Sequence, residues 1–132
     1  LAGIKRLKLK YDNISFIKVP SSIILPAPGQ GAIALMCRKD DTEIIKICKK
    51  IDDFNTRITV SAEREFIKKI NGNCFTPLAA FAKINGKNLT IVGRLFSEDG
   101  KHFSEQKVVG SVKDFKKIGE LCAIKVLKFL NK

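Results

Sequence analysis

Apolar residues recur at helical spacing in three stretches of this chain, and strand-like runs separate two of them. Ile44, Ile47, Cys48 and Ile51 lie on one face, with Asp41-Thr42 ahead of them as a cap, so a helix is expected to about Asp52. A second helix is expected from about Asn55 to Ile70, where Ile58, Ala62, Phe66 and Ile70 recur every four residues. Gly72 is placed to take the left-handed position beyond its end. Phe115, Ile118, Cys122, Val126 and Phe129 form a third stripe, over about 113–130. Between the second and third helices, strands are expected at about 78–84, 88–96 and 103–109. Asn85-Gly86 and Asp99-Gly100 are the hairpin signals that join them. Residues 53–132 thus read α-β-β-β-α, an α+β domain in which a three-stranded antiparallel sheet carries its helices on one face.

The first fifty residues follow a different pattern. Residues 1–10 read as a short helix or the end of one, with Ile4, Leu7 and Leu9 apolar and Arg6 facing either solvent or a cleft. Residues 14–19 read as a short strand stopped by Pro20. In Leu25-Pro-Ala-Pro-Gly-Gln-Gly31 two prolines fix φ and two glycines open backbone shapes closed to other residues, which suits a hinge or crossover. As a phosphate loop it is weak, because no Gly-Lys-Ser/Thr follows. Ala32 to Cys37 is a continuous apolar run between Gly31 and the charged Arg38-Lys-Asp-Asp41, the pattern of a strand buried on both faces. This chain supplies few sheet neighbours for it, so a partner domain is expected to be missing. Ile33, Leu35 and Met36 without neighbours would form a sticky edge, and self-association is expected.

Composition narrows the chemistry. A chain of 132 residues is one domain, or one domain plus a fragment, and beginning at Leu1 it reads as a fragment or a processed chain. The net charge of +12 suits an anionic partner: nucleic acid, a membrane surface or a polycarboxylate. No apolar run is long enough to span a membrane. Cys37, Cys48, Cys74 and Cys122 are dispersed without CxxC spacing and His102 stands alone, so reduced thiols and no metal site are expected. Cys37, Cys48 and Cys122 fall on apolar stripes and should be core, whereas Cys74 lies in the loop Asn71-Gly-Asn-Cys-Phe-Thr-Pro77. A loop cysteine held by flanking elements can carry chemistry, and the plainer alternative is a half-buried thiol at a helix end that serves as a small apolar side chain. Arg57, Glu63 and Arg64 read as surface or interdomain pairs, and Arg94 could face either side of its strand. Two functions fit these residues. One is a double-stranded-RNA-binding-like basic module with Lys113, Lys116 and Lys117 as phosphate contacts, which leaves the first fifty residues without a role. The other is part of an enzyme with Cys74 as attachment point or nucleophile and arginines for an anionic substrate.

Three blocks favour the enzyme. Leu25-Pro-Ala-Pro-Gly-Gln-Gly-Ala-Ile-Ala-Leu-Met-Cys-Arg38, Thr59-Val-Ser-Ala-Glu-Arg64 and Asn71-Gly-Asn-Cys74 with Pro77 resemble the hydroxymethylbilane synthase (porphobilinogen deaminase) family, as does Ala2-Gly-Ile-Lys-Arg-Leu7. The resemblance covers the whole chain in order. It implies that residues 1–31 end a second periplasmic-binding-protein-like domain and form the hinge. Residues 32–52 would return into the first such domain, and 53–132 would form a third domain that carries the cofactor. By position, Cys74 matches the cysteine joined through a thioether to a dipyrromethane cofactor, Arg6 and Arg38 match arginines that hold acetate and propionate groups, and Gln30 and Gly31 match crossover positions beside the substrate. Guanidinium forks suit carboxylates, because they bind them in two-point fashion and stay charged at every working pH. Asn73 stands where the family usually has glycine, and asparagine tolerates a left-handed backbone.

The implied function is that of a cytoplasmic transferase joining four porphobilinogen molecules into hydroxymethylbilane with release of ammonia. Its partners would be porphobilinogen, the carboxylates of the pyrrole chain and the missing N-terminal domains, with no nucleic acid and no membrane. The family's catalytic aspartate lies in the first domain, and Asp40, Asp41, Asp52 and Asp53 do not match it. The chain alone is therefore expected to be inactive, and to lack the cofactor where attachment requires the other two domains.

Overall fold

The computed structural model describes residues 6–8 and 13–130. Helix α1 is Thr42–Ile51 and helix α2 is Phe54–Ile70. The strands are β1 Leu78–Asn85, β2 Asn88–Phe96 and β3 Phe103–Ser111. A 3-10 turn at Val112–Asp114 leads into helix α3, Phe115–Leu130. Both early helices start on an aspartate. Asp41 Oδ1 accepts the Ile44 N–H at 3.1 Å and Asp53 Oδ1 accepts the Thr56 N–H at 2.7 Å. Such caps satisfy donors that the first turn leaves unpaired. Lys49 and Lys50 end α1 and Lys68 and Lys69 end α2, where positive charge complements the helix dipole.

The sheet is antiparallel in the order β1-β2-β3. A two-residue turn, Gly86-Lys87, joins β1 to β2, with Asn85 opposite Asn88 and Gly86 at φ 58°. One sheet face buries Ala80, Ala82, Leu89, Ile91, Leu95 and Val108. Against it pack Ile58, Ala62 and Phe66 of α2 and Ile118, Cys122 and Val126 of α3. Small residues set how closely the layers meet. A Cβ on Gly93 would lie 2.3 Å from Phe66 Cε2, and one on Gly119 would lie 2.2 Å from Ala62 O. The Phe66 ring therefore rests on bare strand backbone, and α2 and α3 touch backbone to backbone.

The α-β-β-β-α reading and the helices on one face agree with this architecture. The reading of 14–19 and 32–37 as strands does not, because neither segment forms a ladder. Ile33 is 78% exposed and Met36 97%, and Cys37, expected in the core, is exposed too. The physical reason is that a strand exists only with a hydrogen-bonding neighbour, and the described residues place none beside these segments. Of the expected helix over 1–10 only Arg6, Leu7 and Lys8 fall among the described residues, and the side chain of Phe129 lies outside them. No helix among the described residues is long and apolar enough to cross a membrane.

Candidate functional site

Cys74 lies on the connection between α2 and β1, which is fixed at both ends. Asn71 closes α2 in the left-handed conformation at φ 59°, its N–H donating to Lys68 O at 3.1 Å. The Gly72 N–H donates to Ile67 O at 3.0 Å. The left-handed position is thus Asn71 and not Gly72. Gly72 instead lies close to Leu78, whose movable Cδ2 would be 2.8 Å from a Cβ there.

Residues 73–76 then form a clasped turn. The Thr76 N–H donates to Asn73 O at 3.1 Å, and the Asn73 N–H donates to Thr76 Oγ1 at 2.9 Å. Asn73 Oδ1 accepts the Phe75 N–H at 2.8 Å. Asn73 does not use a left-handed backbone, because Lys8 and Asn71 are the non-glycine residues at positive φ among those described. Its side chain instead closes the turn, which a glycine could not do. The three bonds surround Cys74 without engaging its thiol. Cys74 is exposed, and the neighbouring Phe75 is 92% exposed. An accessible thiol on a short, bonded turn fits a group held through a carbon–sulfur bond.

Cys122 is the opposite case. It is fully buried under the sheet, its Sγ donates to Gln106 O at 3.4 Å, and burial pushes its thiol up to about 11. It is a packing residue with almost no thiolate near neutrality. Cys48 is half-buried.

The crossover loop is anchored by Glu63, which the sequence reading gave as a surface or interdomain pair. Glu63 of α2 is 5% exposed. Its Oε2 accepts the Gly29 N–H at 2.6 Å and its Oε1 accepts the Ala82 N–H at 2.8 Å. One carboxylate thereby ties the loop, the helix and the first strand together. The loop is itself a chain of tight turns: the Gln30 N–H donates to Ala27 O at 3.0 Å and the Ala32 N–H to Gly29 O at 3.2 Å. Gly29 and Gly31 take φ values of 73° and 88°, open to glycine at little cost. Gln30 turns back on its own loop, its Oε1 accepting the Ala27 N–H at 3.1 Å. A cavity of about 190 Å³ lies between the loop and α2, with Gln30, Gly31, Thr59 and Glu63 in its wall. The sequence signal that could have marked Glu63 is its place one turn before Phe66, on the border of the apolar stripe.

Burial raises the Glu63 carboxyl, and the two N–H donors offset part of that rise. A folded value above the usual 4.5 means that folding favours the protonated form. The Glu63 contribution to stability is therefore full below that pH and declines as pH rises through the raised folded value. We expect Glu63→Gln to remove this decline. Urea unfolding of both proteins from pH 4.5 to 7 checks it, since the wild-type minus variant difference should fall with rising pH. A pH-independent difference contradicts the assignment.

Arg6 and Arg38 are exposed. Arg38 Nη2 lies 3.8 Å from Asp41 Oδ2, a loose pair of little energetic weight. No hydrogen bond or ion pair among the described residues joins Arg6, Gln30, Gly31 or Arg38 to Cys74. Arg57 pairs with Asp52 at 2.7 Å, and Arg94 Nε donates to Glu105 Oε2 at 2.8 Å on the outward sheet face.

A family model described as the C-terminal domain of porphobilinogen deaminase matches residues 57–128, and one described as its dipyromethane cofactor binding domain matches residues 1–46. The chain belongs to the porphobilinogen deaminase family. The porphobilinogen deaminase of Clostridium novyi is 42% identical over 134 residues, covering 98% of this chain and 44% of that protein. The enzyme of that name from Brevibacillus brevis is 40% identical over 110 residues, covering 83% of this chain and 35% of that protein. A probable porphobilinogen deaminase of Nitrosopumilus maritimus is 35% identical over 119 residues, covering 90% and 37%. The chain thus spans less than half the length of these relatives. The model covering residues 57–128 contains the Cys74 turn and Glu63, and the other contains the crossover loop.

Proposed function

We propose that this chain supplies the cofactor-carrying part of a cytoplasmic porphobilinogen deaminase, which joins four porphobilinogen molecules into hydroxymethylbilane and releases ammonia. In this reading residues 1–31 and 32–52 belong to the two domains that precede the third, and 53–132 form that third domain. Cys74 carries the dipyrromethane. The observation that supports this best is the exposed Cys74 thiol on a turn closed by Asn73 and Thr76.

The chemistry is balanced at one atom pair. The C–N bond from the aminomethyl carbon of porphobilinogen to its leaving amine breaks, and a C–S bond to Cys74 Sγ forms. The thiol proton leaves with the ammonia. When bound, dipyrromethane supplies a tethered end for further pyrroles. The chain's own residues do the rest: the turn presents sulfur outward, Glu63 holds the crossover loop against α2, and Arg6 and Arg38 meet substrate carboxylates. Proton transfer to the leaving amine falls to an aspartate in the portion of the relatives that this chain does not span.

The test is a chimaera in which the uncovered portion of the Clostridium novyi relative is joined to this chain. We expect bilane formation and an intact mass raised by one dipyrromethane, with no bilane formed by the 132-residue chain alone. A chimaera that forms bilane without an adduct on this chain overturns the reading.

The 132-residue chain by itself should also self-associate through Ile33, Leu35 and Met36, which are 78%, 61% and 97% exposed. Light scattering after gel filtration should show an oligomer that Met36→Lys with Ile33→Lys returns to a monomer. A wild-type monomer at high concentration contradicts this.

A further inference from the structure

Two cysteines that the function above leaves unused meet near the start of α1. Cys37 closes the apolar run, and Cys48 lies in the second turn of the helix. The chain between them doubles back. The Asp41 N–H donates to Arg38 O at 3.3 Å and the Thr42 N–H to Asp40 O at 3.0 Å. The Asp41 carboxylate, capping Ile44, then fixes the direction in which α1 leaves the turn. From 41 to 51 the half-buried positions are Asp41, Ile45 and Cys48, which share one helix face, whereas Ile44, Ile47 and Ile51 are exposed. Cys48 therefore sits on the covered face of α1.

The Cys37 thiol lies within hydrogen-bonding reach of the Cys48 thiol, with the Asp41 carboxylate also near. Partial desolvation, the Cys48 thiol and Asp41 together raise the Cys37 thiol above its ordinary value of 9.0. At neutral pH the pair accordingly rests as two thiols. Cys37 is exposed and Cys48 half-buried, so a reagent from solvent meets Cys37 first, with Cys48 placed to follow.

We propose that Cys37 and Cys48 form a reversible disulfide site, closed by exchange with a small-molecule disulfide such as glutathione disulfide. The Cys37 thiolate attacks one glutathione sulfur. A Cys37–glutathione S–S bond forms, the original S–S bond breaks, and one glutathione leaves as a thiol with the Cys37 proton. The Cys48 thiolate then attacks Cys37 Sγ, and the second glutathione leaves with the Cys48 proton. The cysteine pair gives up two electrons and the glutathione disulfide takes them. Closure ties the end of the apolar run to α1 and holds Arg38 in the turn between. The site is independent of the function proposed above, because it uses neither the Cys74 sulfur nor the crossover loop.

The test is to equilibrate the whole chain in glutathione buffers of graded redox ratio, quench with acid and analyse by mass spectrometry. Trypsin cuts between the two cysteines after Arg38, Lys39 and Lys46, so a linked peptide identifies the bond. We expect residues 19–38 joined to residues 47–49. Half-oxidation of the folded chain should come at a ratio about ten-fold or more less oxidising than the same chain needs in urea, where the turn is lost. Cys48→Ser should stop at the mixed disulfide, with one glutathione on Cys37, and Cys74→Ser should leave the Cys37–Cys48 link unchanged. Cys48 is outside the buried core, so Cys48→Ser should keep the fold, which an unchanged urea midpoint verifies. The proposal is overturned if folded and unfolded chains link at the same ratio, or if Cys37 and Cys48 end as separate glutathione adducts. It is overturned equally if the main product joins two chains or joins Cys74 to either cysteine.

Discussion

Cys74→Ser in the active chimaera should bring bilane formation down to background, a loss of about 10³-fold or more as expected when a covalent nucleophile is removed. The intact mass should show no dipyrromethane. Stability should barely change, within about 0.5 kcal/mol, because the thiol is exposed and makes no hydrogen bond among the described residues. Serine keeps the size of the side chain and leaves the Asn73–Thr76 clasp intact. It removes only the sulfur, whose thiolate is a far better nucleophile at neutral pH than an alcohol. Cys122→Ser is the informative contrast. It should retain the adduct and the activity of whatever protein folds while lowering stability, since it puts a hydroxyl into a fully buried site. Bilane formation at normal speed by the Cys74 variant would refute the proposed function.

Phe66→Ala should cost about 3–5 kcal/mol, the largest loss of stability expected from any single truncation in this core. Phe66 is the largest of the fully buried side chains, and its ring lies over Gly93 with Cys122 beside it. Gly93 has no side chain to close the void, and moving the strand backbone would disturb the pairing of β2 with both neighbours. The cavity should therefore stay largely open, which is the costly case. A small domain has roughly 5–15 kcal/mol in total, so the variant should be close to unfolding at room temperature. Urea midpoints measure the effect, and Phe66→Leu should recover most of it by refilling the volume. A loss below about 1 kcal/mol would show that α2 does not dock through this ring. Because α2 ends at the Cys74 turn, Phe66→Ala should also loosen the thiol's position, visible as increased amide exchange at Asn73 and Phe75.

The helices and strands after residue 41 were legible because their causes are local. Asp41-Thr42 announces the first helix start, Asn85-Gly86 announces the first hairpin, and the apolar stripes mark the packed faces, whereas the Asp53 cap of α2 emerged only in the structure. The Cys74 loop was legible for the same reason, lying between a helix pattern and a strand pattern. The front segments were not. Ala32 to Cys37 has the composition of a buried strand, yet composition states a preference that only a neighbouring strand can realise. The left-handed position expected of Gly72 fell to Asn71, while Gly72 lies beside Leu78, a residue that packs there only after the chain has turned back. At Asn73 the sequence suggested backbone tolerance, whereas the structure uses the side-chain oxygen as an acceptor.

By itself the sequence determined which segments after residue 41 coil, extend and turn, and it placed Cys74 on a loop between two of them. Those properties depend on residues within about one helical turn or one hairpin of each other. The tertiary structure alone decided that Glu63 is buried, because its two hydrogen-bond donors lie 34 and 19 residues away at Gly29 and Ala82. It alone decided that Cys37 and Cys48 meet across the turn at 38–41. A carboxylate reads as surface in any local window; its environment is set by chain that arrives from far along the sequence.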